Sequence, residues 1–404
     1  MSATTTAWLL SADAVRERAH ALLADALRDG LPHFEVRPGR LDAAADLVAT
    51  VTREAYPDLA VPYHSRWRHF VVRGRDRWAE LASRLDSAGR DEIARIRFDL
   101  AVTSVLLDAG AGDRWRYHDP ETGAELARSE GLAVASFAMV RRGAFADDPA
   151  GQPLRADARA LQAITADTIA AGFQVTDGNP LVGLEGRAAL MRRLGAALAA
   201  APDLFGRPGR IGTLYDVLKE RAEGRPLPAT AILEAVLRGL GPIWPGRIER
   251  DGVNLGDVWR HARAPADGLV PFHKLSQWLT YSLVEPLEDA GVAVTGLDRL
   301  TGLPEYRNGG LLVDTGVLVP REPRILREAL AVDDEAVVEW RALTVALLDR
   351  LAEAVRERLG VAAADFPLAK VLQGGTWTAG RVVARRLRPD GGPPIRIVSD
   401  GTVF

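Results

Sequence analysis

Apolar residues recur at three- and four-residue spacing along most of the chain, which is the pattern of amphipathic helices. The pattern is plain in residues 11–30, 40–57 and 90–112. Ser11 is placed to cap the first of these segments, and Gly30 marks its end. The third segment is apolar on nearly every side toward its end, which predicts a central buried helix. Later helical patterns begin at residues 129, 155, 185, 228, 271 and 333.

Strand patterns are few and short. Residues 292–296 and 311–320 predict a short strand pair, and residues 393–404 predict a terminal hairpin around Asp400-Gly401. We therefore predict a mainly α, compact multi-helix fold with a small β element.

No internal repeat or flexible linker divides the chain, although its 404 residues exceed the usual size of one domain. Loops near residues 143–155 and 202–212 are the best candidates for a boundary. We expect an N-terminal helical part, residues 1–150, and a C-terminal helical part, residues 151–404, that carries most of the motifs and packs with the first as one unit.

Charge and composition limit the kinds of molecule that we expect the protein to bind. With 47% hydrophobic residues the chain has material for a large core, and its formal net charge is −3. A polynucleotide partner requires a basic face, so we expect no nucleic acid polymer. A small anionic ligand held by a few local cations is compatible with this balance.

The chain contains no cysteine, which excludes disulfides, thiolate metal sites and a cysteine nucleophile. His118, Asp119 and Glu121 are the only hint of a metal site, and no second ligand cluster at a recognised spacing accompanies them, so we expect no metal. The first 20 residues lack the basic region and long apolar run of a secretory signal, and no stretch is long enough to span a bilayer. We therefore expect a cytoplasmic protein without a membrane partner.

Lysine is scarce: Lys219, Lys274 and Lys370 are the only lysines among 51 basic residues. Lys274 follows His273 and lies beside the apolar side of a predicted helix. A lysine at the edge of a core is suited to binding one phosphate or to transferring a proton, because it is a compact charge whose pKa shifts readily on burial. The alternative is a surface lysine that extends its charged end into solvent.

The stretch "PEYRNGG", residues 304–310, places Glu305 and Arg307 where neither is readily buried without a partner. Asn308-Gly309 predicts a tight turn that fixes them. A carboxylate held in this way serves as a general base or stabilises a developing cation. A purely structural ion pair is the alternative.

Further candidates for substrate binding come from compact stretches in which uncommon residue types gather. The ordinary alternatives are tryptophans in the core, a structural histidine and glycine pairs without a ligand. The candidates are His64, Arg66, Asp99, Gln277, Trp278, Glu339, Arg341, Lys370, Gln373 and Trp377.

Five stretches, "VPYHSRWRHF", "NLGDVWRH", "VPFHKLSQWLTYSLVEP", "LTGLPEYRNGGLLVD" and "LQGGTWTAGR", resemble the uracil-catabolism protein family of fungi and bacteria, long described as a domain of unknown function. The resemblance runs from about residue 60 to residue 381. It implies a part in a route in which uracil becomes UMP, the ring is opened, and a ribosylurea-type intermediate releases urea.

A weaker resemblance is to the queuosine-salvage N-glycosidases, all-helical proteins akin to DNA glycosylases. Glu305-Tyr306-Arg307 is similar to their Asp-Tyr-Arg, and residues 339–342 to their Glu-x-Arg-Ala. The chain departs from that pattern in having Glu for Asp, and Asn308-Gly309-Gly310 for Val-Pro-Gln. Base recognition must therefore differ.

Together the resemblances imply cleavage of a ribosyl C–N bond through an oxocarbenium-like state, without a cofactor. Glu305 would stabilise the positive charge or direct water. Asp314, Tyr306 or His273 would assist the departing nitrogen. Lys274 and Arg307 would hold a 5-phosphate. Trp377 or Trp278 would wall the ribose.

Two other hypotheses remain: another hydrolytic step of the uracil route, such as amide or ring opening, and a non-catalytic binding partner of the pathway enzymes. The oligomeric state does not follow from the sequence.

Overall fold

A computed structural model describes residues 5–85, 88–108, 110–245 and 247–398. Helices dominate these residues, which confirms the mainly α prediction. The α-helices are, in chain order, α1 (Thr6–Leu9), α2 (Ala12–Ala26), α3 (Leu41–Ala55), α4 (Arg77–Ala82), α5 (Arg90–Leu106), α6 (Arg128–Arg141), α7 (Ala158–Gln162), α8 (Ala166–Gly172), α9 (Leu184–Ala200), α10 (Pro202–Phe205), α11 (Thr213–Ala222), α12 (Ala229–Leu240), α13 (Lys274–Asp289), α14 (Tyr306–Asp314), α15 (Arg324–Arg327), α16 (Glu335–Leu359), α17 (Leu368–Val371) and α18 (Trp377–Leu387).

Shorter helical turns and one π-helical segment complete the helical structure. The 3-10 turns are Pro38–Arg40, Arg66–Phe70, Gly241–Ile243 and Leu297–Arg299, and the π-helical segment is Leu372–Thr376, between α17 and α18.

The strands form small two-stranded sheets. The antiparallel pairs are Phe34–Val36 with Leu318–Pro320, Val71–Val72 with Arg75–Asp76, Tyr117–His118 with Glu125–Leu126, Glu249–Arg250 with Val253–Asn254, and Val258–Arg260 with Leu269–Pro271. The parallel pairs are Leu227–Pro228 with Val294–Thr295, and Ala329–Ala331 with Arg396–Val398.

The chain forms two compact units that alternate along the sequence. The first takes its described residues from Met1–His64, Gly246–Gln277 and Gly296–Phe404, and the second from Ser65–Pro245 and Trp278–Thr295. The predicted boundary near residue 150 falls inside the second unit. Most of the predicted site residues lie in the first.

The core of the first unit is built on α16. This helix of 25 residues is buried along most of its length, and α2 and α3 both pack against it. Ser11 caps α2 as predicted, because its hydroxyl accepts a hydrogen bond from the Ala14 N–H at 3.1 Å. In the same unit α14 packs against α18.

The core of the second unit contains α5, which packs against α6 and α11. Nearly every residue of α5 from Ala94 onward is buried, including Phe98 and Leu100. The prediction of a central buried helix in this segment is therefore confirmed. Within the described chain, no helix combines the length and the apolar character that crossing a bilayer requires.

Two local predictions are wrong. Residues 308 and 309 do not form a tight turn, because α14 continues through them. Residues 292–296 and 311–320 do not pair with each other: Val294–Thr295 pairs with Leu227–Pro228, and the second segment is helical until Asp314. Arg396–Val398 pairs with Ala329–Ala331. The predicted hairpin around Asp400-Gly401 lies outside the described residues.

The two glycines of α14 are explained by packing. A Cβ atom on Gly309 would lie 2.6 Å from a ring carbon of Trp340, and one on Gly310 would lie 3.1 Å from Pro394. Glycine is unfavourable within a helix. At Gly309 it permits a close approach that a Cβ atom would prevent without a shift of the Trp340 ring, and at Gly310 it permits a tight contact with Pro394.

We expect Gly309→Ala to lower the free energy of unfolding by about 1–3 kcal/mol, because the added methyl forces the buried Trp340 ring to move. Guanidinium unfolding measures the change. Gly186→Ala is the matched control: Gly186 lies in α9, and its Cβ would meet open space, so the free energy should stay level or rise by about 0.5 kcal/mol. Equal effects of the two substitutions would contradict the packing explanation.

Candidate active site

The start of α13 is held by Asp257, in the first unit. The Asp257 carboxylate accepts the Lys274 backbone N–H at 3.0 Å and the Trp259 ring N–H at 2.6 Å. It also accepts two hydrogen bonds of 2.8 Å from Arg341, on α16. Burial by itself raises the pKa of Asp257, but the charge and hydrogen bonds of Arg341 outweigh it and hold the pKa well below its usual range. Asp257 is therefore a permanent anion that fixes the first turn of α13.

Glu305 begins α14 as its N-cap. The half-buried carboxylate accepts the Arg307 N–H at 2.7 Å and the Asn308 N–H at 2.5 Å. Burial raises the pKa of Glu305 above its ordinary value, while the two backbone N–H groups and the charges of Lys274 and Arg307 oppose the rise without cancelling it. The carboxylate thus has a fixed orientation and an ionisation state that its neighbours control.

Gln277 connects α13 to the segment that carries Glu305. Its amide nitrogen donates to the Thr301 hydroxyl at 2.7 Å and to the Phe272 carbonyl at 3.1 Å. Its amide oxygen accepts the Thr301 N–H at 2.8 Å. Both ends of the Gln277 amide thus hold Thr301, four residues before Glu305.

Glu339 and Arg341 hold other parts of the first unit together. The fully buried Glu339 carboxylate accepts the N–H groups of His33 at 3.1 Å and Phe34 at 2.7 Å, and it binds His261 Nε2 at 3.1 Å. The Arg341 guanidinium lies 4.0 Å from the centre of the Phe272 ring in addition to binding Asp257. Both side chains therefore anchor neighbouring segments to α16.

His273 is buried, and its ring Nε2 lies 2.8 Å from the Leu9 carbonyl. A carbonyl accepts only, so Nε2 carries the proton. Burial also lowers the pKa of His273. This neutral histidine ties α1 to the start of α13.

Of the predicted catalytic residues, Asp314 lies at the opposite end of α14 from Glu305, whereas Tyr306 is the next residue in the chain. Asp314 ends α14, roughly 13 Å along the helix axis from Glu305. Its carboxylate forms a two-point ion pair with Arg388, at 2.8 and 2.5 Å. Tyr306 follows Glu305 directly, and the Arg307 guanidinium lies 4.9 Å from the centre of its ring. Of the two, only Tyr306 is next to Glu305.

His64, Gln373 and Trp377 gather around the π-helical segment. His64 Nδ1 lies 3.1 Å from the Gln373 amide oxygen, and the His64 ring centre is 6.4 Å from that of Trp377. Burial lowers the pKa of His64 to about 4. Lys370, at the end of α17, donates to the Asp365 carbonyl at 2.9 Å.

The glycine pair beside Gln373 is part of a helix rather than of a phosphate-binding loop. A Cβ atom on Gly375 would lie 2.4 Å from a methyl carbon of Val48, on α3. The glycines therefore permit α3 to approach the π-helical segment.

Arg66, Asp99 and Trp278 belong to the second unit. The buried Arg66 donates to Ser104 at 2.7 Å and to Asp108 at 2.5 Å, and its guanidinium lies 5.6 Å from the centre of a Trp278 ring.

Asp99 is fully buried and accepts hydrogen bonds of 2.8 Å from Arg210 and from the Gly212 N–H. Burial raises the pKa of Asp99 to about 7, although Arg210 and the Gly212 N–H oppose it. The structure thus gives Arg66 and Asp99 structural partners within the second unit.

Asp257 is the residue that sequence reasoning noted but gave no role. Its partner Arg341 lies 84 positions away, and no spacing rule connects them. The quoted stretch "NLGDVWRH" was the only signal that pointed to it. In the described part of the chain, no three His, Asp or Glu side chains come together in an arrangement able to hold a metal ion.

Glu305, a partly buried carboxylate that caps α14, thus lies in the same helical unit as Lys274. The chain belongs to the family described as "Protein of unknown function (DUF1688)", whose profile matches residues 8–404.

Two relatives are similar over most of their length. The protein called "Protein urg3" of Schizosaccharomyces pombe (strain 972 / ATCC 24843) is 42% identical over 415 residues, with 100% of each chain covered. The protein called "Uracil catabolism protein 4" of Lachancea kluyveri is 39% identical over 408 residues, with 92% of each chain covered.

His64 makes the stability of the protein depend on pH. The unfolded chain binds a proton below an ordinary pKa of 6.5, whereas the folded protein does so only below about 4. Since the unfolded state holds more protons in that window, stability falls as the pH drops through it, by about 1.4 kcal/mol per pH unit for one group. We expect His64→Gln to remove this part of the slope, measured by guanidinium unfolding at pH 7, 6 and 5.

The exposed His118 provides the control, since His118→Gln should leave the slope as it is. Burial also lowers the pKa of His273, so this residue contributes to the slope that remains in the His64 variant. An unchanged slope in His64→Gln would contradict the assignment.

Proposed function

We propose that this protein acts in uracil catabolism and hydrolyses a ribosyl C–N bond, releasing urea from a ribosylurea that carries a 5-phosphate. The printed name of the Lachancea kluyveri relative supports the pathway. The environment of Glu305 supports the reaction. Its carboxylate is fixed and partly buried, burial raises its pKa, and the charge of Lys274 opposes that rise. This is the observation on which the proposal depends.

The reaction adds water across the bond between C1′ of the ribose and the ureido nitrogen. The hydroxyl of the water goes to C1′, and the departing nitrogen takes a proton, which gives ribose 5-phosphate and urea. Positive charge develops on C1′ and the ring oxygen as the bond breaks. The Glu305 carboxylate stabilises that charge or takes a proton from the attacking water.

The neighbours of Glu305 supply the remaining roles. Tyr306 is the candidate acid for the departing nitrogen, since it is the ionisable side chain next in the chain. Lys274 and Arg307 are the candidate cations for the phosphate, and both charges already act on Glu305. Trp377 is the aromatic candidate for a wall against the ribose. Asp257 and Gln277 position these groups and take no part in the bond changes.

Glu305→Gln should lower turnover of ribosylurea 5-phosphate by at least about 100-fold, because the amide neither stabilises positive charge nor accepts a proton. The measurement is NMR detection of urea and ribose 5-phosphate formed together. Glu353→Gln is the matched control, an exposed carboxylate on α16 in the same unit, and it should retain full turnover.

Circular dichroism and the unfolding midpoint must show that the Glu305 variant is folded. Equal turnover by wild type and a folded Glu305→Gln variant would remove the carboxylate from the mechanism. A folded wild-type protein that releases neither product would refute the hydrolase itself, and UMP and its ring-opened derivatives would then test the other steps of the route.

Lys274→Met should move the acidic limb of the pH–rate profile to higher pH. The positive charge of Lys274 lowers the pKa of Glu305, so its removal lets the pKa rise. If Glu305 acts as a carboxylate, activity is lost on acidification through that pKa. The measurement is kcat/KM as a function of pH.

Two controls separate charge from packing. Lys274→Arg keeps the charge and should leave the limb close to its wild-type position. Lys219→Met removes a lysine that binds Asp91 in the second unit, and it should have no effect on the limb. A Lys274→Met profile superimposable on that of the wild type would show that this charge does not govern the active carboxylate.

A further inference from the structure

Asn308 follows the Glu305 cap and is fully buried. Its backbone N–H donates to Glu305, and its amide nitrogen donates to the Leu303 carbonyl at 3.0 Å. A carbonyl cannot donate, so the bond to Leu303 fixes which end of the amide is nitrogen. The other end, Oδ1, is a buried acceptor with no hydrogen-bond donor among the described residues.

Two donor groups in the same region also lack a partner among the described residues. They are the Nε–H of Arg307, a residue only 6% exposed, and the hydroxyl of the fully buried Thr376. Arg307 uses another nitrogen to donate to the Gly391 carbonyl at 3.1 Å. These three atoms therefore include one acceptor and two donors.

The three residues lie on elements that pack closely. A Cβ atom on Gly380 would lie 2.4 Å from the Arg307 carbonyl oxygen, which places α18 directly against the start of α14. Thr376 is four residues before Gly380, one turn earlier along the same helical run, at the end of the π-helical segment. Such π-helical insertions occur frequently at functional sites.

Buried polar atoms in native proteins are nearly always hydrogen-bonded, so each of these three requires an explanation. Asn308 is the clearest, because a leucine of similar size would fill the space without an unmade bond. The phosphate of the proposed substrate would accept from Arg307. A ligand group that offers an N–H to Asn308 Oδ1 and a carbonyl to the Thr376 hydroxyl would satisfy the other two atoms. A terminal carbamoyl group, –CO–NH2, offers both within one planar unit.

We propose that Asn308 is a specificity-determining residue whose Oδ1 accepts a hydrogen bond from the terminal NH2 of a carbamoyl-bearing ligand. The Thr376 hydroxyl donates to the carbonyl oxygen of the same group, and the Arg307 Nε–H donates to the 5-phosphate of the same ligand. The inference rests on the proposed function, in that it takes a ribosylurea as the ligand. It adds that the protein recognises the terminal NH2 of the ureido group, and that Asn308 is the residue that does so.

The test compares two ligands that differ at one group. Ribosylurea 5-phosphate ends in –CO–NH2, and the N-acetyl ribosylamine 5-phosphate ends in –CO–CH3, which has the same shape without the N–H donor. Dissociation constants are measured by titration calorimetry at a pH of minimal turnover. Wild type should prefer the ureido ligand roughly tenfold, since the acetyl ligand leaves Asn308 Oδ1 buried and unpaired.

Asn308→Leu should reduce that preference to less than about twofold, and Thr376→Val should weaken both ligands alike, because both retain the carbonyl. Asn308→Ala replaces the leucine variant if that variant does not fold, with the same expected loss of preference. Wild type that binds the two ligands equally, or binds neither, overturns the proposal. So does a folded Asn308 variant with the full preference.

The outcomes separate this inference from the proposed reaction. A preference for the ureido ligand without release of urea would refute the hydrolase and leave Asn308 as a recognition group. Release of urea without a preference would refute the role of Asn308 and leave the reaction in place.

Discussion

The ion pair between Asp257 and Arg341 is the interaction on which the geometry of the candidate site depends. Arg341 comes from the long buried helix of the first unit, and Asp257 binds both that arginine and the first N–H of α13. Removing either charge leaves the other without its partner in a largely apolar setting, which is the costly way to break such a pair. An apolar pair of equal size would be nearly as stable, but it would not hold Lys274 at a fixed place relative to Glu305.

Glu305 is subject to two opposing demands. As a helix cap it is stabilised as a carboxylate by two N–H groups, and as a buried group it is driven toward the protonated acid. The positive charge of Lys274 adds to the first of these. The protonation of Glu305 therefore depends on the charges around it, that of Lys274 among them.

Sequence reasoning predicted what depends on local pattern. The helix from Ser11 and the burial of α5 follow from neighbouring residues, and each has a counterpart in the structure. Sequence reasoning failed where residues elsewhere in the chain determine the local structure. Asn308-Gly309 has the chemistry of a turn, but the Glu305 cap and the Trp340 ring make it part of a helix.

The order in which the first unit is assembled along the chain has a consequence for its biosynthesis. Arg16 on α2 binds Asp349 on α16 at 3.0 Å across a separation of 333 residues. During synthesis the apolar sides of α2 and α3 therefore stay exposed until nearly the whole chain has been made, because α16 is the helix against which they pack. Contacts of such long range slow folding, and exposed apolar helices bind to one another or to chaperones in the interval. The N-terminal helices, rather than the residues of the candidate site, are thus where a newly made chain is most vulnerable.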